Sequence, residues 1–470
     1  MKVFVSHISP RLILALAVCA AFLMAIAAPR ILSRGHDPTA LVLHAPQKPH
    51  VFPLHVEAGQ RHLIDADGRP FLLHGDTAWS LIAELTREEA DIYLADRRAR
   101  GFNTILVNLI EHRFARRAPA NISGDAPFLE PGNFAKPNEA YFIHADWVLS
   151  RLRDHGFLVL LTPAYIGAGG GPEGWWQEMT GNSEETLSAY GRFLGARYRG
   201  FDNIIWVNGG DYNPPDKALV RAIALGLKEA APRQLHTAHI APDTSVADFW
   251  DGESWLDLDN VYTYGPVCPK VLAAYAHAGK RPFFLMESAY ENEHDAGARR
   301  IRTQAYQALL CGASGQIFGN APIWHFQHQG LNPAPSDWWH QLGSAGAQSM
   351  THLLNLFAGL DWWRLEPDAA LLAAGEGKGD HLAVAARMAD GAVALIYMPS
   401  PRPVMVDLGR LSAQGIEAFW FDPSVGQRIA IKDMPGSPGG ARQFNPPGMN
   451  AAGDGDWVLV LTVDGAAQPK

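Results

Sequence analysis

The chain reads as an α/β protein: a (β/α)8 TIM barrel followed by a C-terminal β-sandwich. Three observations predict this. Between roughly residues 71 and 319, eight short apolar runs alternate with stretches of helical periodicity, the pattern of a parallel sheet covered by helices. Two of those runs, Ile204-Ile205-Trp206-Val207 and Phe283-Phe284-Leu285-Met286, lead into acids, Asp211 and Glu287. Barrel enzymes carry their catalytic groups at such C-terminal strand ends. From about Glu366, short β-like runs follow one another with no helical stretch between them, as in a sandwich. An open doubly wound sheet would carry a glycine-rich nucleotide turn after its first strand. His74-Gly75-Asp76-Thr77 is not one.

Each element has its own signal. His62 to Pro70 reads as a hairpin turning at Asp67-Gly68, and Phe71 to Trp79 as strand one. Thr86 caps the next helix, with Glu89 at the capping-box position. Strand two is Thr104 to Ile110 with Asn108 near its exit; strand three is Leu158 to Tyr165. A helix at about 140–155 lies between them, and Asn182 or Ser183 caps the helix that runs to Tyr198. The Ile204 run is strand four, and a helix from Asp216 to Ala230 leads to strand five, Leu235 to Ile240. Strand six is Asn260 to Gly265, strand seven Pro282 to Glu287, strand eight Gly315 to Gly319. The sandwich strands are His381–Ala386, Ala392–Met398, Val404–Leu408, Ile416–Phe421 and Trp457–Val463.

The ends of the chain divide differently. Residues 1–28 place Lys2 and Arg11 before the apolar run Leu12–Ala27, closed by Ala25-Ile26-Ala27. That order is an export signal with a small-x-small cleavage site; an uncleaved N-terminal membrane anchor is the alternative. Residues 29–55 are a linker, 56–362 the catalytic barrel and 363–470 the accessory sandwich. The expected location is periplasmic or extracellular. A formal charge of -9 without basic runs excludes nucleic acid as a natural partner. Outside the leader only Cys268 and Cys311 remain; they can pair in an oxidising compartment but make no disulfide framework.

Two acids facing each other across a barrel mouth are the equipment for glycoside hydrolysis: one protonates the leaving group, the other attacks or activates water. Asp211 and Glu287 are the catalytic candidates, and a retaining enzyme would hold their carboxyls about 5–5.5 Å apart. Candidate sugar contacts are His74, Asp76 and Trp79 at the exit of strand one, Asn108, Asn208, and Tyr264 as a partner of the nucleophilic carboxylate. Tyr165, Trp175, Trp176 and Trp324 are candidates for stacking on sugar rings. Against each stands a bland alternative: His74 and Asp76 in a structural network, Asn208 holding loop backbone, any single Trp filling core. His236 and His239 are three apart, so on a strand they face opposite sides and make a poor metal pair. The loop carrying Glu291, Glu293, His294 and Asp295 can hold a cation or simply be solvated. No cofactor or metal is expected. Neither a Gly-x-Ser-x-Gly elbow nor a P-loop Lys is present.

Taken together, His74-Gly75-Asp76-Thr77-Ala78-Trp79, Gly101-Phe102-Asn103-Thr104, Trp206-Val207-Asn208-Gly209-Gly210-Asp211-Tyr212 and Met286-Glu287 resemble the apiosidase-like (DUF4038-type) glycoside hydrolases over roughly residues 55–360. Trp420-Phe421-Asp422-Pro423 and Trp457-Val458-Leu459 resemble the collagen-binding-type β-sandwich that accompanies them. The resemblance implies a retaining barrel enzyme with Asp211 as acid/base, Glu287 as nucleophile and a plant or microbial oligo- or polysaccharide as substrate, pectic apiosyl linkages being the best-known case. It does not imply specificity, because the 111–139 and 166–182 loops differ among such proteins. A non-catalytic carbohydrate-binding scaffold and a metal-dependent hydrolase are the competing readings.

Overall fold

Short, largely apolar runs buried on both faces build the barrel. The strands are β1 (Leu73–Thr77), β2 (Thr104–Asn108), β3 (Leu158–Thr162), β4 (Ile204–Gly209), β5 (Leu235–His239), β6 (Asp259–Tyr262), β7 (Phe283–Glu287) and β8 (Gly315–Phe318). They form one eight-stranded sheet in the order β5-β4-β3-β2-β1-β8-β7-β6, with every ladder parallel. The computed structural model describes residues 48–277, 281–327, 335–412, 415–432, 434 and 439–463. The leader at 1–28 and linker residues 29–47 lie outside the described residues.

Leu106, Leu160, Val207, Met286 and Ile317 point into the barrel. Their neighbours Ile105, Leu161, Trp206, Leu285 and Phe318 pack under the surrounding helices. These are the two faces of a pleated strand. Where the β5 and β6 ends of the sheet meet, side chains bridge the seam. Asn260 Nδ2 donates to Thr237 Oγ1 at 2.9 Å and to the Ala238 carbonyl at 2.7 Å. Thr237 Oγ1 in turn donates to the Leu258 carbonyl at 3.1 Å.

The helices on the outside are α1 (Arg87–Ala99), α2 (Glu139–Asp154), α3 (Glu184–Tyr198), α4 (Ala218–Ala230), α5 (Val267–Ala276), α6 (Ala298–Leu310) and α7 (Ala345–Ala358). Thr86 and Glu89 form the expected capping box on α1, and of the two candidates on α3 it is Ser183 that caps. Strand β1 begins later than the sequence suggests, because Pro70 and Phe71 pair with Leu63 and Ile64 in the preceding hairpin. Cys268 on α5 and Cys311 just beyond α6 are disulfide-bonded. No helix among the described residues is long and apolar enough to cross a membrane.

The C-terminal part pairs β9 (Leu365–Pro367), β11 (Val384–Met388), β12 (Val393–Met398), β14 (Ile416–Phe421), β15 (Arg428–Ala430) and β17 (Trp457–Val463) in a six-stranded sheet, order β9-β11-β12-β17-β14-β15. A three-stranded sheet, order β10-β13-β16, is formed by β10 (Leu372–Ala374), β13 (Val404–Asp407) and β16 (Ala441–Phe444). The sequence pattern finds the buried strands and misses β9, β10, β15 and β16. At three or four residues these are too short to show an alternation.

The sandwich is fastened to the barrel through α6. Arg302, whose side chain is 1% exposed, meets the fully buried Asp456 at 2.7 Å and Asp454 at 2.6 Å. Tyr397 donates to the same Asp456 carboxylate at 3.0 Å, and its ring stacks on Tyr306 with centroids 4.8 Å apart. Removing one member of a buried ion pair strands the other charge, at a cost of about 3–5 kcal/mol. Arg302→Ala should therefore lower the urea-unfolding free energy by that order. The double change Arg302→Met with Asp456→Leu should recover much of it, since no buried charge is left alone.

Candidate active site

The exit of β4 is built to deliver an acid. Gly209 has φ +99°, and a Cβ there would come within 2.4 Å of the His239 carbonyl, so only glycine lets the chain turn so close to β5. The next N–H, of Gly210, donates to that carbonyl at 3.0 Å, and Gly169 N–H holds the Asp211 carbonyl at 2.9 Å. Asp211 is thus clamped between β5 and the loop after β3. Tyr165 on that loop donates to Asp211 Oδ2 at 2.8 Å.

Glu287 reaches the mouth by a different device. Along β7, Phe283 and Leu285 face the helices while Phe284 and Met286 face the barrel. Strict alternation would send Glu287 outward. The β6–β7 register shifts between Leu285 and Glu287, and such an irregularity re-aims a side chain. The carboxylate then sits buried beside Tyr264, whose hydroxyl donates to Oε1 at 3.3 Å. Tyr262 donates to the Tyr264 hydroxyl at 3.1 Å.

His239, the last residue of β5, lies between the two acids. Its Nε2 is 2.9 Å from Asp211 Oδ1 and 3.1 Å from Glu287 Oε2, pointing between them rather than in line with either. The imidazole stacks parallel on Trp79 at 5.5 Å. Trp79 Nε1 donates to the Tyr290 hydroxyl at 3.0 Å. The three ligand-type atoms of Asp211, His239 and Glu287 all lie within 4.8 Å of one another.

Burial and mutual repulsion dominate the electrostatics. Burial first, then the Asp211 charge, raise the Glu287 carboxyl, against the opposing pull of His239 and Tyr290. Burial also pushes Asp211 up, but the His239 charge and hydrogen bonds from His239, Tyr165 and Tyr262 outweigh it and leave Asp211 lowered. Burial would make His239 a weaker base, yet the two carboxylates push it up to about 10.

Residues 57–364 match the family described as "Apiosidase-like, catalytic domain". The chain belongs to that family. Residues 367–462 match the family described as "Putative collagen-binding domain of a collagenase". A glycoside hydrolase family 5 structure from Bacteroides vulgatus ATCC 8482 shares the fold with TM-score 0.78 and 24% identity, over 88% of this chain and 95% of that one. A second structure, described as a glycoside hydrolase, gives TM-score 0.77 and 25% identity over 89% of this chain and 99% of that one. No curated protein matches. The apiosidase-like domain makes the protein a glycoside hydrolase.

Within this domain the other candidates divide by the direction they face. Trp79 and Trp324 belong to the barrel interior, and Trp324 Nε1 donates to Glu293 Oε1 at 2.7 Å. Asn108, in register with Thr162 on β3, directs Nδ2 to Glu111 Oε2 at 3.4 Å. Tyr264 is 49% exposed and offers a ring face at the mouth. Trp176 packs edge-on against Tyr212, next to Asp211.

Three expected sugar contacts are corrected. His74 stacks on Phe102 under the helices, and burial pushes its pKa down to about 3. Asp76 takes Tyr93 at 2.8 Å and Arg97 at 3.3 Å on the same outer side; burial raises it to about 6 against the Arg97 charge. Asn208 directs Nδ2 to His236 Nδ1 at 3.1 Å and to the Thr237 carbonyl. All three share outward strand positions: Asp76 ties α1 to the sheet, Asn208 bonds to the neighbouring strand β5, and His74 packs against Phe102 and Gln316. Trp175 is a fourth correction: it is 2% exposed, packed among Phe128, Phe134 and His112, and fills core.

The polar loop after β7 is occupied by its own contacts. Glu291 accepts from Asn320, Ser344 and the Gly346 N–H, which fixes the start of α7. His236 and His239 do face opposite ways, as the spacing requires. As a pair they make no metal site, and His239 alone reaches the acids. The usable signal was its position as the last residue of strand five, on the inward parity.

Tyr165→Phe removes a donor to Asp211 without removing the ring. A lost hydrogen bond to the ionised form raises a carboxyl pKa. The Asp211 carboxyl should titrate at higher pH in the variant, read from its 13C signal.

Proposed function

We propose that the protein is an exported glycoside hydrolase that cleaves an O-glycosidic bond in a plant or microbial polysaccharide by double displacement, with retention. Glu287 is the nucleophile and Asp211 the acid/base. The observation that carries this is the pairing itself: two acids from strands on opposite sides of the barrel, with oxygens no more than 4.8 Å apart. That approach supports the retaining arrangement, with carboxyls about 5–5.5 Å apart, over the inverting one, with carboxyls about 6.5–9.5 Å apart.

Asp211 gives its proton to the glycosidic oxygen as the C1–O bond breaks, and a Glu287 oxygen bonds C1. Water then attacks C1, loses a proton to Asp211 and releases the Glu287 carboxylate. Before substrate arrives the proton favours Glu287. Asp211 is the more accessible acid, with a side chain 19% exposed against 6% for Glu287. A sugar over the mouth therefore desolvates Asp211 more, raising its pKa and moving the proton to where the leaving group needs it. Tyr264, held by Tyr262, remains to stabilise the Glu287 anion.

Support for export comes from the basic, apolar and small-residue order of residues 1–28 and from the Cys268–Cys311 bond, a feature of oxidising compartments. A pectic apiosyl linkage is the first substrate to try, given the family.

The test is release of sugar from a panel of pectic and bacterial polysaccharides. Glu287→Gln and Asp211→Asn should each lower kcat by at least about 10³-fold. Azide should rescue the two variants with opposite anomeric products, which fixes the roles. Asp211, His239 and Glu287 are also the group that could ligate a cation, and a cation there would occupy both carboxylates. EDTA should leave the rate unchanged; loss of activity restored by a divalent metal would replace this mechanism with a metal-dependent one.

A further inference from the structure

We propose that the accessory sandwich supplies part of the substrate mouth: its loop 375–381, set beside the half-exposed Tyr264 ring, forms a subsite for a sugar unit of the polysaccharide beyond the bond that is cleaved. The ligand class rests on the glycoside hydrolase reading above, and the loop adds a direct role for the sandwich in holding the chain.

Helix α6 follows β7, so its N-terminal end lies at the catalytic face of the barrel. The sandwich chain runs along that helix toward the mouth. Gln307 Nε2 donates to the Leu382 carbonyl at 3.2 Å. Seven residues earlier on the helix, about 10 Å nearer the mouth, Arg300 donates to Asp380 Oδ1 at 3.2 Å. The same guanidinium donates to the Tyr264 and Gly265 carbonyls at 3.0 and 3.2 Å, and the Tyr264 hydroxyl reaches Glu287. One arginine thus joins the sandwich loop to the residue that touches the nucleophile.

A sugar ring needs a fixed aromatic face for its C–H side and polar groups for its hydroxyls. Tyr264 supplies the face: Tyr262 packs edge-on against it at 5.3 Å, its hydroxyl is bonded and its backbone is held by Arg300. The loop supplies the polar groups, and it is preformed. Arg402 donates to the Gly375, Glu376 and His381 carbonyls at 2.7, 2.6 and 2.6 Å, gathering both ends of the loop. Gly377 has φ +70°, and a Cβ there would come within 2.6 Å of both the Arg402 guanidinium and the His381 carbonyl, so the closed form needs glycine. A loop already ordered loses little freedom on binding. Glu376, Lys378 and Asp380 are left exposed, and the Lys378 ammonium has no bonding partner among the described residues.

The test is retention by the same pectic and bacterial polysaccharides in affinity electrophoresis, with the full-length Glu287→Gln protein so that nothing is consumed. Lys378→Ala and Asp380→Ala, each added to that protein, should weaken retention about 3- to 10-fold, the scale of one hydrogen bond. Both side chains are exposed, so the fold should survive, which the melting temperature checks. In the active enzyme the two substitutions should raise KM on the cleaved polysaccharide more than they lower kcat. Retention unchanged in both variants overturns the proposal, as does absence of retention on every gel. A fall in kcat on a p-nitrophenyl glycoside of the released sugar, in Asp380→Ala alone, also overturns it, because Asp380 would then act through Arg300 on Tyr264 and not on the sugar. The two readings separate cleanly. Sugar release with loop-independent retention keeps the hydrolase and removes the subsite; loop-dependent retention without any sugar release does the reverse.

Discussion

Two carboxylates buried within a few ångströms of each other repel, and the barrel mouth is arranged around containing that repulsion. Each acid arrives with its own donor, Tyr165 for Asp211 and Tyr264 for Glu287, and His239 Nε2 lies within 3.1 Å of both. These groups come from β3, β5 and β6, between and beside the strands that carry the acids. Closing the sheet brings them together. An open sheet with the same strands would leave Asp211 and Glu287 far apart, and neither would have its pKa disturbed by the other.

That dependence explains why barrel closure is reinforced where the hydrogen-bond ladder is weakest. At the β5–β6 seam, where the His236 carbonyl accepts from the Asp257 and Leu258 N–H groups, the Asn260 and Thr237 side chains add further bonds. His239 and Tyr262 lie two residues further along those two strands toward the mouth. A seam held by side chains keeps its strand ends at a fixed spacing, and His239 needs a fixed spacing to lie between two acids.

Much of this was legible in the sequence, and the part that was not has a single cause. Strand exits announce themselves through apolar runs ending in polar residues, so Asp211, Glu287, Tyr165, Trp79 and Tyr264 could be picked out by position. Which face a residue takes is legible only while alternation holds. His74, Asp76 and Asn208 sit on the outward parity, so composition near a strand end misled where counting would have corrected it. Glu287 is the opposite case: counting from Phe284 and Met286 sends it outward, and the register shift at Leu285–Glu287 turns it in. No local feature of Phe283-Phe284-Leu285-Met286-Glu287 signals that shift. It depends on β6, a partner more than twenty residues away in the chain.

The accessory sandwich enters the same chain of constraints. Arg302, Thr303 and Tyr306 on α6 are bonded to or stacked on Asp456 and Tyr397 of the sandwich. On the same helix Gln304 Nε2 donates to the Ala289 carbonyl at 2.8 Å, two residues beyond Glu287. The sandwich therefore backs the helix that backs the loop leaving the re-aimed end of β7. A carboxylate turned against its strand's alternation needs rigid support behind it, since the regular register is the alternative it would relax to. On this view the C-terminal sheets serve the active site mechanically, whatever else they bind.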